Sequence, residues 1–239
     1  IDIPRAVANF RFFAGAVRHE EGAFHPMGSA INYTLRKPVG VVGLITPWNL
    51  PLYLLTWKTA PALAMGNTIV AKPSEVTPST ASALAEIITE AGVPDGVFNI
   101  VHGYGHETGQ ALVEHPDVRA ISFTGGTNTG SLVAQTAAGA FKKLSLELGG
   151  KNSTIVFADS DREKALNGAL RAAFTNQGQV CLCGSRILVE RSIYREFADE
   201  LAARARTMRV GDPSDASTQI GSLVSEAHRQ KVESYIELA

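Results

Sequence analysis

Apolar side chains recur at Ile3, Val7, Phe10, Ala14 and Val17, the spacing of an amphipathic helix over residues 3–18. Pro4 suits its first turn and Gly22 closes it. A polar linker follows, then a stretch of alternating character at 32–37. Residues 39–46 form a continuous apolar run, the pattern of a strand buried on both faces. Pro47 and Pro51 interrupt it, and 52–65 reads as a helix stopped by Gly66-Asn67. The alternation then repeats. Strands are predicted at 68–71, 97–101, 118–123 and 143–146. Between them lie a helix capped by Thr77, with Pro78 in its first turn and its end at Gly92, one at 108–114, and one from Gly125-Gly126 to about residue 138.

Strands alternating with helices are βαβ units, so the fold class is α/β with a mostly parallel sheet. After Gly149-Gly150 the units restart: a strand at 154–157, a helix capped by Asp161 with a small face of Ala165, Ala169 and Ala173, a strand at 185–190, and a helix capped by Ser192 running to about 208. A boundary near Gly149 therefore divides 1–148 from 149–239. Ligands of open parallel sheets bind beyond the strand C-termini. The polar residues there are Asn49, Lys72, Glu75 and Glu147, which this pattern expects to converge on one crevice.

Composition narrows the class without naming it. Over 239 residues, 45% are hydrophobic and 19% charged, with 22 basic and 23 acidic residues in no long run of one sign. Neither nucleic acid nor a charged membrane surface is indicated, no apolar stretch is long enough to span a bilayer, and no signal peptide is visible. Cys181 and Cys183 are too close to staple the fold, so reduced thiols in the cytoplasm are expected. Six scattered histidines give no metal pattern, because the i,i+4 pair His102 and His106 has Gly103 and Gly105 in its loop. The chain begins with Ile1 and ends inside a helical pattern at Ala239, as a fragment of a longer protein would.

Five segments carry candidate chemistry. Cys181 follows Asn176-Gln177-Gly178-Gln179-Val180 between a helix and a strand, where a thiolate nucleophile can be presented, or where a small buried hydrophobe can sit. Glu147, at the end of an apolar strand and ahead of two glycines, is expected to be partly desolvated, with a raised pKa suited to a general base. Its bland alternative is an ion pair with Lys142, Lys143 or Lys151. Asn49, on a turn stiffened by proline, offers an amide donor to a developing oxyanion, or merely closes an Asx-turn. Lys72 and Glu75 fit a dinucleotide ribose, or form a surface salt bridge. The loop Gly125-Gly126-Thr127-Asn128-Thr129-Gly130 lets backbone approach a pyrophosphate at a helix start, or is an ordinary tight turn.

In their joint order, Pro47-Trp48-Asn49, Ala71-Lys72-Pro73-Ser74-Glu75, Phe123-Thr124-Gly125, Leu146-Glu147-Leu148-Gly149-Gly150-Lys151 and Gly178-Gln179-Val180-Cys181 resemble the aldehyde dehydrogenase superfamily. The resemblance implies a Rossmann-like parallel-sheet NAD-binding domain over 1–148, with part of a bridging hairpin near 22–38. It makes 149–239 the start of a second, catalytic α/β domain. It implies Cys181 as nucleophile, Glu147 as general base and Asn49 as oxyanion donor together with the Cys181 N–H. The cofactor is expected against Trp48, Lys72, Glu75, Gly103, Gly125, Gly126, Gly130 and Leu148, with NAD favoured over NADP by Glu75. The glutamate also favours hydrolysis of the thioester over transfer to a thiol. Residues 48–58, the Cys181-Leu182-Cys183 triplet, Ile3-Pro4-Arg5 and Asn9-Phe10-Arg11-Phe12-Phe13 resemble the branch acting on 2-aminomuconic and 2-hydroxymuconic semialdehydes, in which Arg5 matches an arginine that binds the substrate carboxylate. A homodimer or homotetramer is expected of the complete protein.

One departure stands at Gly126, where many members carry serine or threonine. That removes one side-chain hydrogen bond, worth about 1 kcal/mol. The rival readings are an inactive, truncated NAD-binding module, a cysteine hydrolase and a structural protein of the same fold. The hydrolase needs a histidine near the thiol, yet none occurs between His115 and His228.

Overall fold

The computed structural model describes residues 2–238. Contacts divide the chain into two compact units, Ile1–Leu148 and Gly149–Ala239.

The first unit is built on five parallel strands in the order β5-β4-β3-β6-β7. These are β3 (Val41–Ile45), β4 (Thr68–Lys72), β5 (Phe98–Ile100), β6 (Val118–Gly125) and β7 (Lys143–Leu148). Counted along the chain, this is the order 3-2-1-4-5 of a doubly wound sheet, with its topological switch between β3 and β6. Alternate residues of β3 feed two separate cores. Val42 and Leu44 pack with Leu55, Ile69, Leu84 and Ile88, whereas Val41 and Ile45 lie against Leu112, Ile121, Phe123 and Val133. The period of two thus explains why the whole run is apolar: both faces are covered. Helices α2 (Pro51–Ala64) and α3 (Ser79–Glu90) supply the first core; α4 (Gln110–Glu114) and α5 (Thr127–Ala138) supply the second.

Helix α1 (Asp2–Ala16) is bolted to α2 by polar contacts that the apolar pattern does not show. Leu50, at the start of α2, makes no side-chain cap. The Asp2 carboxylate takes over, accepting from Leu52 N at 3.0 Å and Tyr53 N at 2.8 Å, and so satisfies two otherwise orphaned donors. Seven residues on, buried Asn9 donates to Tyr53 O and to Thr56 Oγ1. A short hairpin, β1 (Phe24–Met27) against β2 (Ala30–Tyr33), turns at Gly28, where φ is +62°. All eight strand residues are exposed.

The second unit holds a parallel pair, β8 (Ser153–Val156) and β9 (Arg186–Val189), with helices α6 (Arg162–Phe174), α7 (Tyr194–Arg206) and α8 (Glu226–Glu237). Val156, Leu166, Ala169 and Phe197 form its core, while Ile155 and Leu188 lie exposed. Asp161 caps α6, accepting from Lys164 N.

Four local expectations are corrected. Thr77 does not cap α3: Pro78 takes that place with helical angles, and the Thr77 hydroxyl is buried without a hydrogen bond. Ser192 does not cap α7, because its hydroxyl donates to the Glu190 carboxylate at 2.9 Å and the helix starts after a further turn. The extended pairing near 32–37 ends at Tyr33, where the partner strand runs out. The helix expected at 108–114 opens instead as a wide π-turn over Gly105–Gly109, the glycine-rich part of the segment. Among the described residues, no helix is long and apolar enough to cross a membrane.

Candidate active site

Asn49 and the 125–130 loop follow the two strands that flank the topological switch, β3 and β6. That is the crevice where open α/β sheets bind ligands. Trp48 and Asn49 are half-buried in the turn that leads into α2. Gly126 takes the cap position of α5, leaving that helix without a side-chain cap, and a Cβ there would meet open space. Helix starts of this kind attract anions. Gly130 has a different reason to be glycine: a Cβ would stand 2.5 Å from a methyl of Leu148, so the residue lets α5 close onto β7.

At the end of β4 the buried Lys72 ammonium donates to Glu75 at 2.9 Å. Burial pulls the Glu75 carboxyl upward. Its own backbone amide, the Lys72 bond and charge, and His106 outweigh that and hold it below the usual carboxylate range. Glu75 lines a groove with Pro78, Ser79, Ser82, His102 and Gly103. Gly103 has φ +141°, and a Cβ would lie 2.0 Å from Thr108 Oγ1, so no other residue fits. A carboxylate held ready beside a hydroxyl-lined groove suits the diol of a ribose.

Glu147 departs from its expectation. It is exposed, not partly desolvated, as are Lys143 and Ser145 on the same strand. The physical reason is topological: β7 is the edge of this sheet, and between its Lys143, Ser145 and Glu147 and helix α2 lies a cavity. Glu147 lines this cavity with Trp57, Lys58, Ser122 and Ser145. Glu75 thus lines the groove over the β4 end and Glu147 the cavity beside β6 and β7.

That cavity contains a residue the pattern did not single out. Lys58 is 6% exposed and donates to Ser122 Oγ at 2.8 Å. Burial pushes its pKa down to about 8, with the negative charge of Glu147 pulling partly back. The available signal was helical phase: Lys58 lies three residues after fully buried Leu55. An unfolded lysine keeps its proton to about pH 10.5, whereas the folded one releases it near pH 8. Stability is therefore lowest below pH 8 and rises across that window, by on the order of 3 kcal/mol. Denaturant titrations of the parent and Lys58→Met should show the parent gaining that much on the variant between these limits. Parallel pH curves would refute it.

In the second unit, α6 runs into a turn with three consecutive left-handed residues, Asn176 (φ 52°), Gln177 (φ 58°) and Gly178 (φ 73°). Asparagine and glycine tolerate this region, but glutamine does so at a cost. Strain of this kind collects at functional sites. Cys181 follows, half-buried, and Cys183 is buried; both are free thiols. The Cys181 carbonyl accepts from Asn152 Nδ2 at 2.6 Å. Arg5 is exposed on α1, its guanidinium 6.0 Å from the Tyr53 ring centre. Among the described residues, no three metal-ligating side chains gather.

The sequence profile described as "Aldehyde dehydrogenase family" matches residues 1–239. A 2-aminomuconic semialdehyde dehydrogenase of Danio rerio is 55% identical over 241 residues, covering 100% of this chain and 50% of that protein. A 2-hydroxymuconic semialdehyde dehydrogenase of Pseudomonas sp. (strain CF600) is 52% identical, with 100% and 50% covered. The crystal structure of PnpE in complex with nicotinamide adenine dinucleotide superimposes with a TM-score of 0.96 at 48% identity, over 99% of this chain and 49% of that one. The chain spans about half the length of the curated relatives it matches.

Proposed function

This chain belongs to the aldehyde dehydrogenase family, and from that premise we propose that it carries the central machinery of an NAD-dependent oxidation of a muconic-type semialdehyde. The observation that carries the proposal is the joint presence of Asn49 ahead of α2, Glu147 in β7 and Cys181 after the left-handed turn, in a chain matched from end to end. The Cys181 thiolate attacks the aldehyde carbon and forms a thiohemiacetal. The Asn49 amide and the Cys181 N–H receive the developing oxyanion. Bound NAD would supply the hydride acceptor here; loss of the hydride leaves a thioester on Cys181. Glu147 removes a proton from water, the resulting hydroxide attacks the thioester carbon, and the Cys181 thiolate leaves as the carboxylic acid is released.

Lys72 and Glu75 would hold the adenosine ribose, with the Glu75 carboxylate disfavouring the 2′-phosphate of NADP. Trp48, Gly103 and the loop of Gly125, Gly126 and Gly130, backed by Leu148, would frame the rest of the dinucleotide, its pyrophosphate at the uncapped start of α5. Arg5 would pair with the substrate's carboxylate. Two free thiols suit the reducing cytoplasm. The exposed hairpin, with Phe24, Ile31 and Tyr33, suits a contact between copies in a dimer or tetramer.

The test is NADH formation by the full-length protein with 2-hydroxymuconic semialdehyde against unbranched aliphatic aldehydes, with Arg5→Met alongside. The semialdehyde should be preferred by at least about tenfold, and Arg5→Met should erase the preference through KM. Sedimentation of the same preparation reads the oligomer, and a monomer would remove that part. A folded protein that binds NAD but turns over no aldehyde would be a nucleotide-binding module and nothing more.

A further inference from the structure

Cys181 sits in a loop held by short turns, with Cys183 N donating to Val180 O at 3.1 Å and Ser185 N to Cys183 O at 2.9 Å, but Cys181 O is in none of them. The three left-handed residues before it turn the chain away from α6, and β9 begins only at Arg186. Between them the carbonyls of Cys181 and Cys183 lie outside any strand. One side chain reaches both. Asn152 Nδ2 donates to Cys181 O at 2.6 Å and to Cys183 O at 3.2 Å. A primary amide nitrogen carries two hydrogens, so it can serve two carbonyls at once.

The base of this clamp is fixed independently. The Asn152 carbonyl accepts from Arg186 N at 3.1 Å, and the next residue, Ser153, pairs with Arg186 in the β8–β9 register. Gly184 N donates to Ala172 O at 2.9 Å, which closes the far side of the loop onto α6. A Cβ at Gly184 would fall 2.2 Å from Thr154 Oγ1 and 3.0 Å from Ala172 Cβ, so the loop returns tightly against β8 and α6. The backbone of Asn152 is thus tied to the sheet and its side chain to the cysteine loop.

We infer that Asn152 is a positioning residue for the Cys181 thiol, its side-chain amide fastening the 181–183 loop to the start of β8. The inference rests on the reading of Cys181 as nucleophile. Reaction rates fall steeply when a nucleophile is misplaced by a fraction of its contact distance. A two-pronged donor on the nucleophile's own carbonyl restrains that displacement. Lys151 and Asn152 lie only four and five positions after Glu147, so one short segment carries both the proposed base and the clamp.

The experiment uses the full-length protein with Asn152→Asp, Asn152→Gln and Cys181→Ala. Aspartate keeps the shape and loses both donors; glutamine keeps the donors on a longer stem. Asn152→Asp should lower kcat roughly five- to tenfold with the KM for NAD unchanged, and Asn152→Gln should recover most of it. Iodoacetamide labelling, read by mass spectrometry, supplies a second measurement independent of turnover. Buried Cys183 should become labelled in Asn152→Asp and stay protected in Asn152→Gln. Equal kcat in the parent and both Asn152 variants overturns the inference. So does an equal fall in the two variants with a lowered Tm, which would make the residue structural only. Turnover that survives in Cys181→Ala while the labelling pattern holds would sink the nucleophile reading itself and leave Asn152 as a loop brace.

Discussion

Cys181→Ala in the full-length protein is expected to lower aldehyde oxidation by on the order of 10⁴-fold or more, while NAD binding survives. Without the sulfur no covalent thiohemiacetal forms, and the aldehyde carbon never acquires the oxyanion that Asn49 and the backbone amide are proposed to receive. Cys183 cannot substitute: it is 7% exposed, and its sulfur faces the Thr175 carbonyl at 3.9 Å. Alanine leaves the loop's shape intact, because the Asn152 contacts are made to backbone carbonyls. NAD titration by fluorescence therefore separates lost chemistry from lost folding. A variant that binds NAD and keeps more than about a tenth of the parent rate would rule out thiol catalysis.

Glu147→Gln is expected to divide the reaction in two. The nucleophilic step needs no base at Glu147, but the thioester needs an activated water. Steady turnover should drop by on the order of 10³-fold, within the range of a lost general base. A burst of about one NADH per site should remain, as expected when a covalent intermediate accumulates. Rapid-mixing absorbance at the NADH band reads both phases. Glutamine is nearly isosteric, and Glu147 is exposed at the sheet edge, so little stability is at stake. Loss of the burst together with turnover would place Glu147 before the thioester and overturn its assignment as the hydrolytic base. Because Lys58 feels the charge of Glu147, the same substitution should also lower the lysine's pKa further. The pH window of the Lys58 stability effect should then open at a lower pH.

The apolar runs were sufficient to find the strands of the first sheet, because a central parallel strand needs hydrophobic side chains on both faces. Residues 39–46 enclose β3, and 68–71 misses only Lys72 of β4. Local chemistry also marked Asp161 as a helix cap and Gly66 and Gly92 as stops; the glycines have φ of +76° and +84°. The Lys72–Glu75 pair was legible for the same reason, since three residues of chain hold the two groups within reach.

Contacts across longer distances were not legible. Asp2 capping α2 spans 50 residues, and Lys58 on Ser122 spans 64. No local pattern distinguishes a lysine facing solvent from one facing a sheet. Asn152, beside Gly149-Gly150, carries no local signal because its two acceptors lie 29 and 31 residues away. The burial expected of Glu147 fails similarly: an apolar strand end predicts cover, whereas coverage depends on which strand becomes the edge.

By itself, then, the sequence determined the alternation of strands and helices, the α/β class and the motifs that mark the aldehyde dehydrogenase family. All of these are set by periodicity and by residues within a few positions of one another. Tertiary structure alone decided the strand order that leaves β7 at the edge, the burial of Lys58 beside Ser122, and the amide that grips the cysteine loop. Each of those depends on which distant segments pair. Pairing is settled by packing and hydrogen-bond closure of the whole unit rather than by any one stretch of chain.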